Sequence, residues 1–371
     1  MNSKERLLLA LQKEKPDRLP VSIHQWQDYH LNTYLGGITA LQAFERFGMD
    51  ASIQYSQDMG QYWSAYEQFS SFSTSTWKDQ VRIISNDPDQ RKIQHTIVTP
   101  EGELTYETES NRTTTWITEY LIKQEDDIDL IRKYMPVQTL DVKQVQAEYD
   151  RIGDRGILRG LAWGNQAGCW QDAATLMDVT DLIYRTYDKP DWVHALLKIL
   201  LDKKLQFIES MKNARFDLVE TGGGAASSTV ISPSIHKEFC LPYDRALHDA
   251  LHEHGFLITY HTCGGTRGIE ELIVANGCDA SETLAPVSIG GNQEPWDFKT
   301  KIGKRLALIG GLDQHNVLSI GSFDMIHGKV HELFEKVGKD GGYICSCADH
   351  FFETPPENIK AFADAARECV Y

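Results

Sequence analysis

From about residue 150 onward, short apolar runs that finish in glycine or polar residues alternate with longer stretches of helical periodicity. That order predicts βα units around a parallel sheet. The expected strands are GILRGLAWG (156–164), FDLVETGGG (216–224), FLITYHTCGG (256–265), CDASETLAP (278–286), RLALIGGLD (305–313) and GGYICSCAD (341–349). Two earlier runs, RLPVSIH (18–24) and MDASIQYS (49–56), bring the set to eight. Eight strands with helices between them predict an α/β fold of the (β/α)8 TIM-barrel type. Clear helical patterns cover 175–213 and 232–255, the second with Ser232 as N-cap, Pro233 in the first turn and Gly255 as C-cap. The opening MNSKERLLLALQKEKPDRLP is an amphipathic helical extension. Residues 80–123 follow a different rule, alternating with turn signals at NDPDQ and TPEGE. They predict antiparallel β-hairpins inserted in an early βα loop, over or beside the barrel mouth. No repeat or linker divides the chain, so residues 1–371 are expected to form a single domain.

Composition narrows the function. The chain has 371 residues, 41% hydrophobic and 24% charged, as in an ordinary folded protein. A net charge of −16 without a basic block argues against a nucleic-acid partner. No apolar run approaches the length of a membrane span. With seven cysteines, an odd number, and no signal peptide, a disulfide framework is not expected and the chain reads as cytoplasmic.

The strand ends carry the candidate chemistry, because in a barrel of this type the C-terminal ends form the floor of the active site. In YHTCGG, His261 and Cys263 are two residues apart, so on a strand they point to the same side. Imidazole and thiolate are preferred zinc ligands, which makes the pair a candidate catalytic zinc site. A further ligand is expected from GGYICSCADHFFETPPENI, where Cys347 is the first choice. Cys345 is deeper and reads as core, while Asp349 and His350 remain alternatives. Gly264 and Gly265 would allow a substrate or cofactor close to the backbone as well as making the turn into the next helix. Glu220, at the end of VETGGG, can be a general base, an extra zinc ligand, or a buried partner for Arg245. The glycine run after it has neither P-loop nor dinucleotide spacing and reads as a cavity-lining loop. Asp313, His315 and Glu282 occupy equivalent strand ends. His236, His248, His252 and His254 lie on a charge-rich helix and are expected to be solvated.

These segments, SKERLLLALQKEKPDRLPV, ISPSIHKEFCLPYDRALHDALHEHG, YHTCGG, KIGKRLALIGGLDQHNVLSIGS and the closing GGYICSCADHFFETPPENIKAFADAA, together resemble the uroporphyrinogen decarboxylase-like superfamily over essentially the whole chain. The fold so implied is again a (β/α)8 barrel. True decarboxylases carry an arginine-rich stretch near the first strand to meet substrate carboxylates; the corresponding VSIHQWQDYHLNTY has no arginine. The chain is more similar to the branch of cobamide-dependent methyltransferases, in which an H-x-C motif and one later cysteine bind zinc. His261 and Cys263 match that motif. The later cysteine maps onto CSCADH, although Cys347 lies one residue farther from TPPENI than the pattern asks.

The resemblance implies transfer of a methyl group between a small substrate and the cobalt of a corrinoid carried by a separate protein, with zinc as Lewis acid. The sequence lacks the D-x-H-x-x-G pattern that supplies a cobalt ligand, so the corrinoid is expected on a partner. With Glu220, His261 and Cys263 as catalytic residues, Gly264, Gly265 and Asp313 are expected to border the cofactor. Trp26, Trp63, Trp163 and Trp170 suggest a pocket for a methoxylated aromatic, hence O-demethylation. A homodimer is compatible with the sequence. The competing readings are a metal-free tetrapyrrole decarboxylase and a non-catalytic corrinoid or tetrapyrrole carrier.

Overall fold

The computed structural model describes residues 1–55, 73–163 and 168–371. In chain order the strands among them are β1 (Ala51–Gln54), β2 (Lys78–Asp87), β3 (Gln90–Thr99), β4 (Gly102–Ser110), β5 (Thr115–Glu119), β6 (Gly156–Leu161), β7 (Leu218–Gly222), β8 (Ile258–His261), β9 (Ala280–Thr283), β10 (Ala307–Leu312) and β11 (Tyr343–Cys347). β1 and β6 to β11 form one sheet in sequential order, each neighbour parallel to the next. Each falls inside a run expected from the sequence.

The segment at 18–24 departs from the expectation. Val21 makes only an isolated parallel bridge to Cys345 of β11. The Ser22 N–H donates to the Cys345 carbonyl and the Cys345 N–H to the Pro20 carbonyl, both at 2.9 Å. On the other side the N–H of Asp50, just before β1, donates to the Val21 carbonyl at 2.7 Å. Pro20 has no N–H and cannot extend a ladder. The expected eight-stranded barrel is thus observed as a seven-stranded parallel sheet with a short bridging segment.

Two apolar layers follow from the alternation of side chains along each strand. Ile157, Leu218, Ala280, Ala307, Ile309 and Ile344 cluster with Leu7, Ala10 and Leu11 of the N-terminal helix, Ser3–Leu11. That helix starts on a capping box between Asn2 and Glu5 and lays its apolar face on this layer. The opposite faces, including Tyr260, Leu308, Tyr343, Cys345 and Cys347, join the larger core under the surrounding helices.

The insertion is a four-stranded antiparallel sheet, β2-β3-β4-β5. Its buried face carries Ile93, His95 and Ile97 on β3 and Leu104, Tyr106 and Thr108 on β4. Ile97, Leu104 and Tyr106 join the main core, and His95 stacks on Tyr106 with ring centroids 4.2 Å apart.

The helix expected at 232–255 begins as read, with the Ser232 side chain accepting from the Ile235 N–H. It then passes through a π turn at His236–Cys240 before continuing over Leu241–Glu253, with Gly255 left-handed at φ 81° beyond its end. Pro242 lacks the N–H an α-helical ladder needs there, and the wider turn accommodates that gap. His236 and His248 are fully buried rather than solvated. His236 bonds the Ala226 carbonyl through Nδ1, while His248 bonds the Asn276 carbonyl and the Thr221 hydroxyl. Among the described residues no helix is long and apolar enough to cross a membrane.

Asp50 anchors the bridging segment. Its carboxylate accepts from Arg6 Nη1 at 2.6 Å, from Arg18 Nη1 at 2.9 Å and from the Val21 N–H at 3.0 Å, and it is 1% exposed. Asp50→Ala leaves the guanidinium groups and the Val21 N–H poorly compensated and is expected to cost about 3–5 kcal/mol of unfolding free energy. Urea unfolding checks this; a loss below about 1 kcal/mol, the size of an exposed pair, would mean that the segment is held by other contacts.

Candidate functional site

Alternation along four neighbouring strands builds the site. Ile157 and Arg159 on β6, Leu218 and Glu220 on β7, Thr259 and His261 on β8, and Ala280 and Glu282 on β9 lie in successive positions of one face. The second of each pair is polar, so a buried polar layer sits directly above the apolar floor. His261 and Glu282 are direct partners in the β8–β9 register. The bridging segment adds His24, and the loop after β11 adds His350. Gly222 is needed beside them, because a Cβ there would stand 2.4 Å from the His261 carbonyl oxygen.

Arg159, 2% exposed, reaches both carboxylates through Nη2, Glu220 at 2.8 Å and Glu282 at 2.7 Å. His261 Nδ1 lies 3.3 Å from Glu282 and 3.4 Å from Glu220. His24 Nδ1 is 3.6 Å from Glu282, and its ring centroid is 4.9 Å from that of His261 and 5.0 Å from that of His350. Gln27 Nε2 bonds His350 Nδ1 at 2.8 Å. One ligand atom from each of His24, Glu220, His261 and Glu282 fits within 4.8 Å.

The charges are distributed unevenly. Burial favours a protonated Glu282, but Arg159, His261 and His24 outweigh it and hold the carboxyl well below the usual range. Glu220 is pushed upward by burial and by Glu282, with Arg159 opposing. Burial keeps His24 well below the usual imidazole value. For His261 burial acts the same way, but Cys263, Glu282 and Glu220 overcome it and raise the imidazole well above its usual value. Glu282 Oε2 and His261 Nε2 are both buried and, among the described residues, have no hydrogen-bond partner.

The residues singled out from sequence separate into two groups. His261, Cys263 and Glu220 come together, with Cys263 beside the His261 ring and close to Gly224. Cys347 does not join them. On β11 it shares the outward face with Tyr343 and Cys345 and packs in the main core, whereas Ile344 and Ser346 face inward toward Arg159 around a cavity of about 10 Å³. The groups whose candidate ligand atoms lie within reach of His261 are instead His24, Glu220 and Glu282.

The expected cofactor-facing residues are also occupied internally. Asp313 caps the following turn, accepting from the N–H groups of His315 and Asn316, from Ser288 Oγ and from Asn316 Nδ2. A Cβ on Gly264 would meet Ser227 and Thr229, and one on Gly265 would meet Asn292 and Thr229. Arg245 pairs with Asp249 on the surface, leaving Arg159 as the partner of Glu220. Trp26 packs among Phe44, Phe47 and Phe351, and Trp170 against Phe239 with its Nε1 on the Ala225 carbonyl. Trp163 is likewise buried, and Trp63 lies outside the described residues. His24 and Arg159 were missed. An arginine at an inward position of an otherwise apolar strand, GILRGL, was the available signal.

The profile of the family described as Uroporphyrinogen decarboxylase (URO-D) matches residues 97–369. The chain belongs to the URO-D family. Among curated relatives, the uroporphyrinogen decarboxylase of Hydrogenovibrio crunogenus is 26% identical over 190 residues, covering 49% of this chain and 50% of that one. The methylated-thiol–coenzyme M methyltransferase of Methanosarcina mazei is 23% identical over 197 residues, 53% of this chain and 50% of that one. The chain thus spans about half the length of the curated relatives it matches. A solved structure, a methyltransferase from Methanosarcina mazei, superposes with a TM-score of 0.67 at 18% identity, covering 99% of both chains. That likeness establishes the fold of this URO-D family member.

The donor set fits a divalent ion of borderline softness. Imidazole, carboxylate and thiol are all zinc ligands, and the two unpartnered buried atoms, His261 Nε2 and Glu282 Oε2, are both lone-pair donors once the imidazole is neutral.

β8 is held from behind by Tyr260, whose hydroxyl donates to Asp244 Oδ2 at 2.7 Å. Burial pushes the Asp244 carboxyl from 3.8 up to about 7, with Tyr260 and Lys204 opposing. A folded-state value above the unfolded one stabilises fully below the unfolded pKa, and that contribution is lost as pH rises toward 7. Relative to Asp244→Asn, the wild-type chain is therefore expected to lose on the order of 4 kcal/mol of unfolding free energy between about pH 4 and pH 7. Parallel stability profiles for the two proteins would show that Asp244 titrates normally.

Proposed function

We propose that this URO-D family member is a metal-assisted methyltransferase, with zinc held by His261, Cys263 and Glu282 and a corrinoid on a separate protein as methyl carrier. The observation that carries this reading is the pair of unpartnered buried atoms, His261 Nε2 and Glu282 Oε2, beside a thiol. The polar layer stands at the C-terminal ends of β6 to β9, in what we take to be a (β/α)8 barrel closed by the 18–24 segment.

The metal would act as Lewis acid on the heteroatom that loses the methyl group, and the corrinoid would accept that group. The chain's own residues supply the surroundings. Arg159 holds Glu282 and Glu220 in place by one oxygen each, so the second oxygen of Glu282 keeps a fixed direction. Glu220 is the acid–base group available to the departing heteroatom, and His24 and His350 extend the polar surface beyond it. The apolar floor beneath Arg159 excludes bulk water from below. A small methylated substrate suits this site, although Trp26 and Trp170 are committed to the core and do not argue for an aromatic one.

Decarboxylation of a tetrapyrrole is the second reading, favoured by the relative from Hydrogenovibrio crunogenus. A polycarboxylate substrate needs cations at the site. Arg159 is already paired with two carboxylates, and 21–34 contains no arginine.

The test compares bound zinc and methyl transfer to Co(I) cobalamin in wild type and variants. His261→Ala and Cys263→Ala should each lose one equivalent of zinc and at least about 100-fold in transfer rate, a loss of about 3 kcal/mol in transition-state stabilisation. Cys347→Ala should retain that zinc. Equal zinc in wild type and His261→Ala, together with turnover of uroporphyrinogen, would replace this reading by the decarboxylase one.

A further inference from the structure

A second cluster of side chains of the types that ligate metals lies near the surface. His327 and His331 stand four residues apart on the helix Phe323–Leu333, which puts them on one face. Glu368, the last residue of the helix Pro356–Glu368, faces both. Its Oε2 is 2.8 Å from His327 Nε2 and 3.5 Å from His331 Nε2, and the two rings stack with centroids 4.2 Å apart. Gly328 leaves open space at its Cβ position beside His327.

These separations can be compared with what an ion requires. Tetrahedral zinc with bonds of about 2.0–2.1 Å spaces its ligand atoms by about 3.3 Å. The two imidazole-to-carboxylate distances bracket that value. Hydrogen bonding alone serves the trio poorly, since His331 Nε2 is shut off from water and, 3.5 Å from Glu368 Oε2, makes no hydrogen bond among the described residues. A divalent ion would use the lone pairs of two neutral imidazoles and a carboxylate oxygen, a set suited to zinc, cobalt and nickel, with remaining positions open to water.

We propose that His327, His331 and Glu368 form a surface site for a divalent transition-metal ion that clamps the C-terminal helix to the helix Phe323–Leu333. The clamp has a structural consequence. Immediately after Glu368, the Cys369 carbonyl accepts from the Leu19 N–H at 2.8 Å, and Val370 bridges Arg18. An ion at Glu368 therefore steadies the chain end that pairs with the start of the bridging segment. Binding only to the folded state raises thermal stability by mass action.

The test uses the full chain stripped by a chelator and titrated with Zn²⁺ and with Co²⁺. Wild type, His331→Ala, Glu368→Gln and His261→Ala are compared by equilibrium dialysis and by thermal unfolding. Removing a direct ligand should weaken one site by more than the roughly 10–100-fold seen for residues that only orient ligands. One equivalent should thus be lost in His331→Ala and in Glu368→Gln, together with this site's share of the metal-dependent rise in Tm, while methyl transfer is unchanged. His261→Ala should retain this equivalent and this rise, so failure of the inner zinc site is read separately. Unchanged stoichiometry and affinity in His331→Ala and Glu368→Gln would overturn the surface site. A Tm rise that persists when His331→Ala or Glu368→Gln is combined with His261→Ala, which removes the inner site, would overturn the clamp.

Discussion

The buried contact of Arg159 with Glu220 and Glu282 is the interaction on which the site depends. Two carboxylates in a dry interior repel each other and lose their hydration, and neither would stay ionised there without a nearby cation. Arg159 supplies that cation from the neighbouring strand, reaching both acids through a single nitrogen. The guanidinium stands on the layer of Ile157, Leu218, Ile309 and Ile344, with only about 10 Å³ of cavity between them. It cannot move without disturbing that floor. The arrangement takes one oxygen from each carboxylate and, among the described residues, leaves Glu282 Oε2 without a hydrogen-bond partner, like His261 Nε2.

That geometry also limits the chemistry. A cation engaged by two internal carboxylates is not available to anchor an anionic substrate. His261 responds to the same field. Glu282, Glu220 and Cys263 make its charged form favourable despite complete burial. A divalent ion would take the place of that proton, which is why an elevated imidazole value and a metal-binding reading are two expressions of one negative potential.

Much of this was legible because period two is a strict rule. The strands at 216–224, 256–265 and 278–286 each showed a polar residue near the C-terminal end, and Glu220, His261 and Glu282 do meet. Cys347 shows where the rule stops. Alternation says that Cys345 and Cys347 share a face, but not which face. In YICSC both faces are small or apolar, so nothing in the pattern distinguishes inward from outward. The structure turns Ser346 inward and both cysteines toward the helices. Arg245 and Arg159 teach the complementary lesson. A charge on an amphipathic helix is cheap to solvate, whereas an arginine inside a short apolar strand must find carboxylates. His236 and His248 were misjudged because helix charge was counted without regard to face; their Nδ1 atoms each reach a backbone carbonyl, which makes burial tolerable.

His24 could not be assigned from its own surroundings, because its role comes from where the chain carries it. The segment that bears it has only one bridge to β11 and one backbone bond to Asp50, and its proline prevents a fuller ladder. Side chains compensate: Asp50 ties Arg6 of the N-terminal helix, Arg18 and the Val21 N–H into one buried cluster. Three residues beyond Val21 the same segment places His24 between His261 and His350. Joining the two outer strands of the sheet and completing the ring of inward polar groups are therefore one structural event. A change that loosens Asp50 would be felt at the site through His24, even though Asp50 touches none of the groups that line it.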